Sequence, residues 1–258
     1  MTAMTRLKVS LLAALVALVA LSSCEKPSNE WREQSLRVMS YNVHNCKGTD
    51  GVRDYARVAG VISKYNPDLV AIQEVDSMTR RQQRDVTAQL AARTGYYGYF
   101  APAIPHTGGK YGVAILSKKP VLSIRQYELP CSSEIRTLAV AEYKDYYFIC
   151  THFSLHEEYR LKAVEIAREV VAGLDKPVLL AGDLNAYPDS KPLKKFEEFM
   201  VVLNDTSKPT FSATNPTKCI DYVLGAGAHF VVKKSFSGIG CQASDHLPIY
   251  VDVEIKKQ

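Results

Sequence analysis

The feature that most constrains this chain is an alternation of two hydrophobic periods between Leu36 and Ile255. Short apolar or alternating runs read as strands: 36–43, 69–75, 97–101, 112–117, 122–129, 137–143, 146–153, 178–181, 220–224, 230–236 and 248–255. Between them, 55–65, 83–94, 157–172 and 192–200 carry helical spacing. The runs from Leu122 to Phe153 follow one another through short turns, as antiparallel neighbours do. Two or more sheets with helices outside are implied. No linker is long enough to divide them into two domains, and no internal repeat is visible.

Composition agrees. Of 258 residues, 47% are hydrophobic and 23% are charged, values of an ordinary globular protein. This excludes a disordered chain, a fibrous repeat and a polytopic membrane protein. The formal charge is +5, but the basic residues are scattered and form no stripe of the kind that tracks a nucleic-acid backbone.

The first residues follow a different logic. Arg6 and Lys8 precede an apolar run, Leu11 to Leu21, and then Leu21-Ser22-Ser23-Cys24. A positive start, an apolar stretch and small residues describe a secretory signal peptide. Val9 to Ser23 would span only ~22 Å as a helix, short of the ~30 Å hydrocarbon core, so a transmembrane anchor is the weaker reading. The Leu-Ser-Ser-Cys ending resembles a bacterial lipobox. The resemblance implies a lipoprotein signal peptide at 1–23, a diacylglycerol on Cys24 that makes a membrane a partner, and an extracytoplasmic place in the cell envelope. Cleavage would leave 30 basic against 27 acidic residues. Residues 24–35 read as the lipidated cysteine and a flexible tether, with 36–258 as one catalytic domain; Trp31 could pack on that domain or rest at the membrane. Five cysteines remain, an odd number without CxxC spacing, so at least one thiol is free and a structural zinc site is disfavoured. A Cys219–Cys241 bond is left open.

Polar residues stand at the ends of the buried strands, where a rigid scaffold presents chemistry. Asn42 closes the first strand. Glu74 is read as the end of an almost wholly apolar strand, where a carboxylate is costly unless paired or bound to a cation. His152 ends another. In Gly182-Asp183-Leu184-Asn185 an Asp and an Asn two residues apart would face the same side if extended. Asp221 lies between apolar neighbours, and Ser244-Asp245-His246-Leu247-Pro248 precedes the last strand. Each alone has a bland explanation as a turn residue or a satisfied hydrogen-bonder. Together they supply oxygen ligands for a hard cation and two histidines able to handle protons near neutral pH.

The order Asn42, Glu74, His152, GDLN, Ile220-Asp221-Tyr222 and SDHLP resembles the endonuclease/exonuclease/phosphatase superfamily, from Leu36 to about Ile255. The resemblance implies an α/β (α+β) fold, a four-layer α/β/β/α sandwich of two mixed sheets face to face with helices outside. It implies phosphoester hydrolysis dependent on Mg²⁺ or Mn²⁺. Carried over by position, Glu74 is the main metal ligand, with Asn42 and Asp245. Asp183, beside Asn185, orients and deprotonates water. His246 contacts the phosphate, Asp221 fixes its tautomer, and His152 stabilises the phosphate or the leaving oxygen. Arg136 could grip phosphate by a forked hydrogen-bond pair, although an exposed strand-end arginine is slightly favoured. Tyr111 could also line the site, His44 could support it or face solvent, and Arg160 reads as helix surface.

The substrate stays open between nucleic acid, a phospholipid headgroup and a small organophosphate. Cys219-Ile220-Asp221-Tyr222 lacks the arginine of the Cys-Asp-Arg element of inositol 5-phosphatases, and His152 argues against the repair-type apurinic enzymes. The alternatives are a sphingomyelinase-like phosphodiesterase and a non-catalytic binding lipoprotein that retains the fold.

Overall fold

The computed structural model describes residues 31–132 and 134–257. The expected signal peptide and the lipid-bearing Cys24 lie outside these residues. Among the described residues, thirteen strands form two mixed sheets and four helices cover them. The first sheet contains β1 (Gln34–Asn42), β2 (Leu69–Thr79), β3 (Gln82–Asp85), β4 (Tyr97–His106), β5 (Gly109–Ser117), β12 (His229–Ser237) and β13 (Ile249–Lys256). Its order is β12-β13-β1-β2-β5-β4, with β3 paired to β2. The second contains β6 (Ser123–Leu129), β7 (Arg136–Glu142), β8 (Tyr147–His152), β9 (Val178–Asp183), β10 (Val201–Val202) and β11 (Asp221–Ala226), in the order β10-β11-β9-β8-β7-β6. One parallel pair lies at the centre of each, β1–β2 and β8–β9.

Strand alternation builds the layers. In β2, Leu69 and Ala71 point into the core between the sheets, while Val70 and Ile72 point into a second core under α1 (Tyr55–Tyr65) and α2 (Val86–Thr94). In β9, Leu179 and Ala181 face the other sheet; Val178 and Leu180 face α3 (Glu157–Ala172) and α4 (Lys191–Glu197). Both faces of each central strand are therefore buried, which is why these strands read as continuous apolar runs. The result is the expected α/β/β/α sandwich.

Local signals fix the helices. The Asp54 side chain accepts from Arg57 N–H and the Asp85 side chain from Ala88 N–H, satisfying otherwise orphaned amides of α1 and α2. Asn66 and Gly95 end them in the left-handed conformation.

Two expectations are corrected and one open alternative is decided. β4 does not stop at Ala101 but continues through Pro102 and Pro105 to a two-residue Thr107-Gly108 turn with both φ positive. Those prolines are tolerated because β4 is an edge strand, bonded only to β5. The tether reading overreached: Trp31 packs against the inter-sheet core, and Gln34 already pairs with Ile255. Among the described residues, Cys46, Cys131, Cys150, Cys219 and Cys241 form no disulfide with one another. No Cys219–Cys241 bond forms, because the Cys219 thiol turns to the Asp221 carbonyl while Cys241 faces the Tyr41 hydroxyl. Among the described residues, no helix is long and apolar enough to cross a membrane.

Candidate active site

The inter-sheet core opens at one end, and the alternation of the strands carries polar side chains into that opening. Cys150 faces the core, so His152 follows on the same face; Ala181 does the same for Asp183 and Val223 for Asp221. Register then places these three in one row, His152 opposite Asp183 and Asp183 opposite Asp221. All three are buried. From the first sheet, Leu36 and Val38 face the same core and Asn42 continues their side of β1.

Glu74 reaches the opening by another route. Strict alternation would turn it with Val70 and Ile72 toward the helices. Instead the β2–β5 register jumps between Ile72 and Val75, and Glu74 takes a φ of +59°. This is a β-bulge, which re-aims one side chain. β2 then runs on to Thr79, so Glu74 does not end its strand as expected. Across the bulge, Gly112 leaves no room for a side chain: a Cβ there would collide with the Ala101 carbonyl oxygen.

Asn42 ties the two sheets together. Its amide nitrogen donates to Glu74 Oε1 and to Asp183 Oδ2, both at 3.1 Å, and its amide oxygen accepts the His44 N–H at 3.0 Å. Its backbone carbonyl accepts the Ser244 hydroxyl at 2.8 Å, which fixes the loop carrying Asp245 and His246. Asn185 does not share an extended strand with Asp183. β9 ends at Asp183 and Asn185 turns left-handed, with φ +48°. Its backbone N–H then donates to Asp183 Oδ1 at 2.9 Å, and its side chain donates to the Phe153 carbonyl at 3.0 Å.

His246 closes the row. Its Nδ1 lies 3.0 Å from Asp221 Oδ2 and its Nε2 3.6 Å from Asp183 Oδ2. His152 Nε2 is 3.5 Å from the same Asp183 oxygen. Burial acts to lower the pKa of His246, but Asp221 and Asp183 outweigh it and raise the group to about 10. His152 is held well below the usual histidine range by burial, Arg136 and His246. Burial and the neighbouring Asp221 push Asp183 up to about 7. At neutral pH the row thus pairs a charged His246 with a neutral His152 and a carboxyl poised to gain or lose a proton.

Arg136 is not an exposed strand-end residue. It is only 9% exposed, pairs with Glu134 and lines a cleft of about 440 Å³ with Glu74, His152, Asp183, Asn185, Asp245 and His246. Its buried Nε has no hydrogen-bond partner among the described residues. Arg160 is not plain helix surface either. It lines the cleft and donates to the Ser154 and Leu155 carbonyls at 3.2 and 2.6 Å. Tyr111 is displaced from its expected place: pairing with Asp76 beyond the bulge sets it in an adjoining cavity. His44 supports the site, with Nδ1 3.5 Å from Asp245 Oδ1. Sequence reading missed Phe211, Lys218, Leu155 and Tyr187, which complete the cleft. Phe211 packs on the His246 ring at 4.7 Å. Loop residues of this kind carry no periodic signal that could have revealed them.

The donor set suits a hard divalent cation. Glu74, Asp183, Asp221 and Asp245 bring four carboxyls to the opening, Asp183 and Asp221 buried and Glu74 and Asp245 half-buried, and the buried Asp221 Oδ1 has no hydrogen-bond partner among the described residues. Ligand atoms of Asp183, Asp221 and His246 lie within 4.8 Å of one another. Such an excess of buried acid is costly without a compensating cation. Asn42 meets Glu74 and Asp183 with its amide nitrogen, its oxygen being taken by the His44 N–H, and Glu74 and Asp245 bring further carboxylate oxygens to the same opening.

The profile of the endonuclease/exonuclease/phosphatase family matches residues 39–246. The chain belongs to this family. A family member from Beutenbergia cavernae has 26% identity and a TM-score of 0.74, over 86% of this chain and 72% of that one. A family protein from Bacteroides vulgatus has 19% identity and a TM-score of 0.72, over 86% and 100%. The mannosyl-6-phosphatase of Bacteroides thetaiotaomicron has 17% identity and a TM-score of 0.65, over 85% and 99%. The last two likenesses show the fold. No curated protein sequence matches the chain. Membership supports a hydrolase, since the family's members act as phosphatases or nucleases.

Proposed function

We propose that the protein is a divalent-metal-dependent phosphoesterase acting on a small organic phosphate, exported and tethered to the cell envelope through a diacylated Cys24. One observation carries the catalytic reading: Asp183, His246 and His152 converge within 3.6 Å in a cleft that also holds Glu74, Asp245 and Arg136.

The chain's own residues set out the reaction. Asp183 is fixed through Oδ1 by the Asn185 N–H and through Oδ2 by the Asn42 amide, and Oδ2, which faces both histidines in the cleft, keeps a second lone pair to take a proton from water. Asp221 holds His246 by Nδ1, so Nε2–H faces the cleft and donates to a phosphoryl oxygen. Arg136 adds a charge that no pH change removes, and neutral His152 donates a hydrogen bond. The water oxygen bonds to phosphorus and the ester oxygen leaves on the opposite side, taking a proton from solvent while Asp183 returns its own to solvent, so one water yields an alcohol and a phosphate. A cation held by Glu74 and Asp245 would neutralise charge building on the phosphoryl oxygens.

A small substrate fits the compact cleft and the absence of a basic stripe for nucleic acid. One observation favours a second substrate, a phospholipid headgroup: Leu155, 71% exposed, and Tyr187, 47% exposed, stand at the cleft rim. The deciding experiment is a panel of 4-nitrophenyl phosphate, bis-4-nitrophenyl phosphate, sugar phosphates, DNA, RNA and sphingomyelin vesicles, with Mg²⁺, Mn²⁺ or EDTA. Metal-dependent turnover with a small-phosphate preference is expected. No metal-dependent turnover of any compound would refute the reading.

A further inference from the structure

Glu74 has a second side. Besides the catalytic cleft it lines a separate cavity of about 200 Å³, walled by His44, Arg81, His106, Tyr111 and Glu134. Asp183 does not line this cavity. In an in-line displacement, the leaving group departs on the side of phosphorus opposite the attacking water. With the water at Asp183, a phosphorus held between Asp183 and Glu74 would send its leaving group past Glu74. Two other grooves adjoin the cleft, one sharing Tyr187 and Lys218 with it and one sharing Asp245, and neither is lined by Glu74. We infer that the cavity beyond Glu74 is the leaving-group subsite and that it takes a single hydroxyl-rich ring, a sugar or a cyclic polyol; this rests on the phosphoesterase reading.

The lining selects this chemistry. Arg81 is locked by a forked pair to buried Asp76, Nε to Oδ2 at 2.7 Å and Nη2 to Oδ1 at 2.9 Å. Its Nη1 makes no hydrogen bond among the described residues, so a preorganised donor remains. Glu134 and Glu74 supply acceptors, and His106 and the Tyr111 hydroxyl supply either role. A wall of both signs with donors and acceptors mixed matches hydroxyls, each of which gives and takes a hydrogen bond. A second phosphate would meet the two carboxylates, and an alkyl tail would leave the charges desolvated and unpaired. The His106 and Tyr111 rings, 5.9 Å apart, and the Ile104 side chain offer the apolar patch that a face of a sugar ring matches. A volume of about 200 Å³ suits one ring. The Arg136–Glu134 ion pair joins the two chambers, because Arg136 lines the cleft and Glu134 the cavity.

The test compares kcat/KM for mannose 6-phosphate, myo-inositol 1-phosphate, ethyl phosphate, AMP, sphingomyelin vesicles and 4-nitrophenyl phosphate with Mn²⁺, in the wild type, His106→Ala and Glu134→Gln. The sugar and inositol arms separate the two sources of a hydroxylated ring. At least one ring phosphate should exceed ethyl phosphate by ~10-fold or more, since a site built to hydrogen-bond hydroxyls rejects a ligand that lacks them. In both variants that ratio should fall toward one, mainly through KM, with thermal unfolding confirming a folded chain. Ethyl phosphate, AMP or sphingomyelin matching the ring phosphates, or a ratio unchanged in both variants, overturns the subsite. Absence of turnover on every compound, 4-nitrophenyl phosphate included, instead overturns the phosphoesterase reading and the subsite with it.

Discussion

Asp183 and Asp221 stand directly opposite each other on the antiparallel strands β9 and β11, both buried, and His246 lies against both. Two carboxyls this close resist ionising together. The arrangement explains why Asp183 is raised while His246 is held charged, and it makes three positions act as one unit.

Substituting that unit should show strong coupling. Asp183→Asn and His246→Ala are each expected to lower kcat by ~10²-fold or more, the scale of lost proton handling. The double variant should lose far less than the product of the two. Steady-state kinetics on the best phosphoester of the panel checks this. Near-normal rates in either single variant would refute the roles given to Asp183 and His246.

The same unit sets a pH dependence of stability for the metal-free protein. The pKa of His246 is raised to about 10 in the fold. Its contribution is therefore complete below its unfolded value of ~6.5 and is lost as pH rises through about 10. Asp183, raised to about 7, acts in the same direction at lower pH, because its carboxylate costs stability as pH climbs through that value. Stability in EDTA should thus decline between pH 6.5 and 10, with a slope from His246 of at most ~1.4 kcal/mol per pH unit. Urea denaturation across that range measures it. Asp221→Asn should flatten the slope; an unchanged slope would remove Asp221 as the cause.

Asn42 holds Glu74 and Asp183 without offering them its oxygen. Asn42→Ala should therefore weaken Mn²⁺ binding by ~10–100-fold, the usual cost of losing a group that orients ligands. Calorimetric titration would show it, and an affinity within a factor of two of the wild type would contradict the positioning role.

Gly112 faces the bulge that turns Glu74 into the cleft. A methyl group there meets backbone rather than a movable side chain. Gly112→Ala should cost ~1–3 kcal/mol, as overpacking does, and lower activity because β5, pushed off β4, carries the strain to the bulge that it pairs with. Thermal unfolding and kinetics together test this; a variant with wild-type Tm and kcat would show that the bulge tolerates the extra atom.

Lipid attachment is checked by Cys24→Ala in the full chain. The variant should remain uncleaved and carry no diacylglycerol, since one buried acyl chain binds marginally and two are needed for stable anchoring. Mass spectrometry of the membrane fraction reads both outcomes. Processed, acylated protein from the variant would exclude Cys24 as the attachment site.

Much of the site was legible before any coordinates. Asn42, His152, Asp183 and Asp221 each end or begin an apolar run, and their parity with core residues such as Val38, Cys150, Ala181 and Val223 puts them on the inter-sheet face. That information is local, because alternation along one strand fixes direction. The errors arose where the backbone leaves its period. Asn185 was expected to extend alongside Asp183, yet a left-handed turn makes it the group that grips it.

By itself, then, the amino-acid sequence determined the layers, the strands that are buried on both faces, and the polar residues that must surface where those strands end. Hydrophobic periodicity is a property of neighbouring residues and needs no partner to be read. The tertiary structure alone decided the rest: that Glu74 points into the cleft through a bulge opposite Gly112 on another strand, that Arg136 is buried in the cleft, and that Tyr111 lines the cavity next door. Those outcomes depend on register and on atoms far away in the chain. No local pattern encodes them.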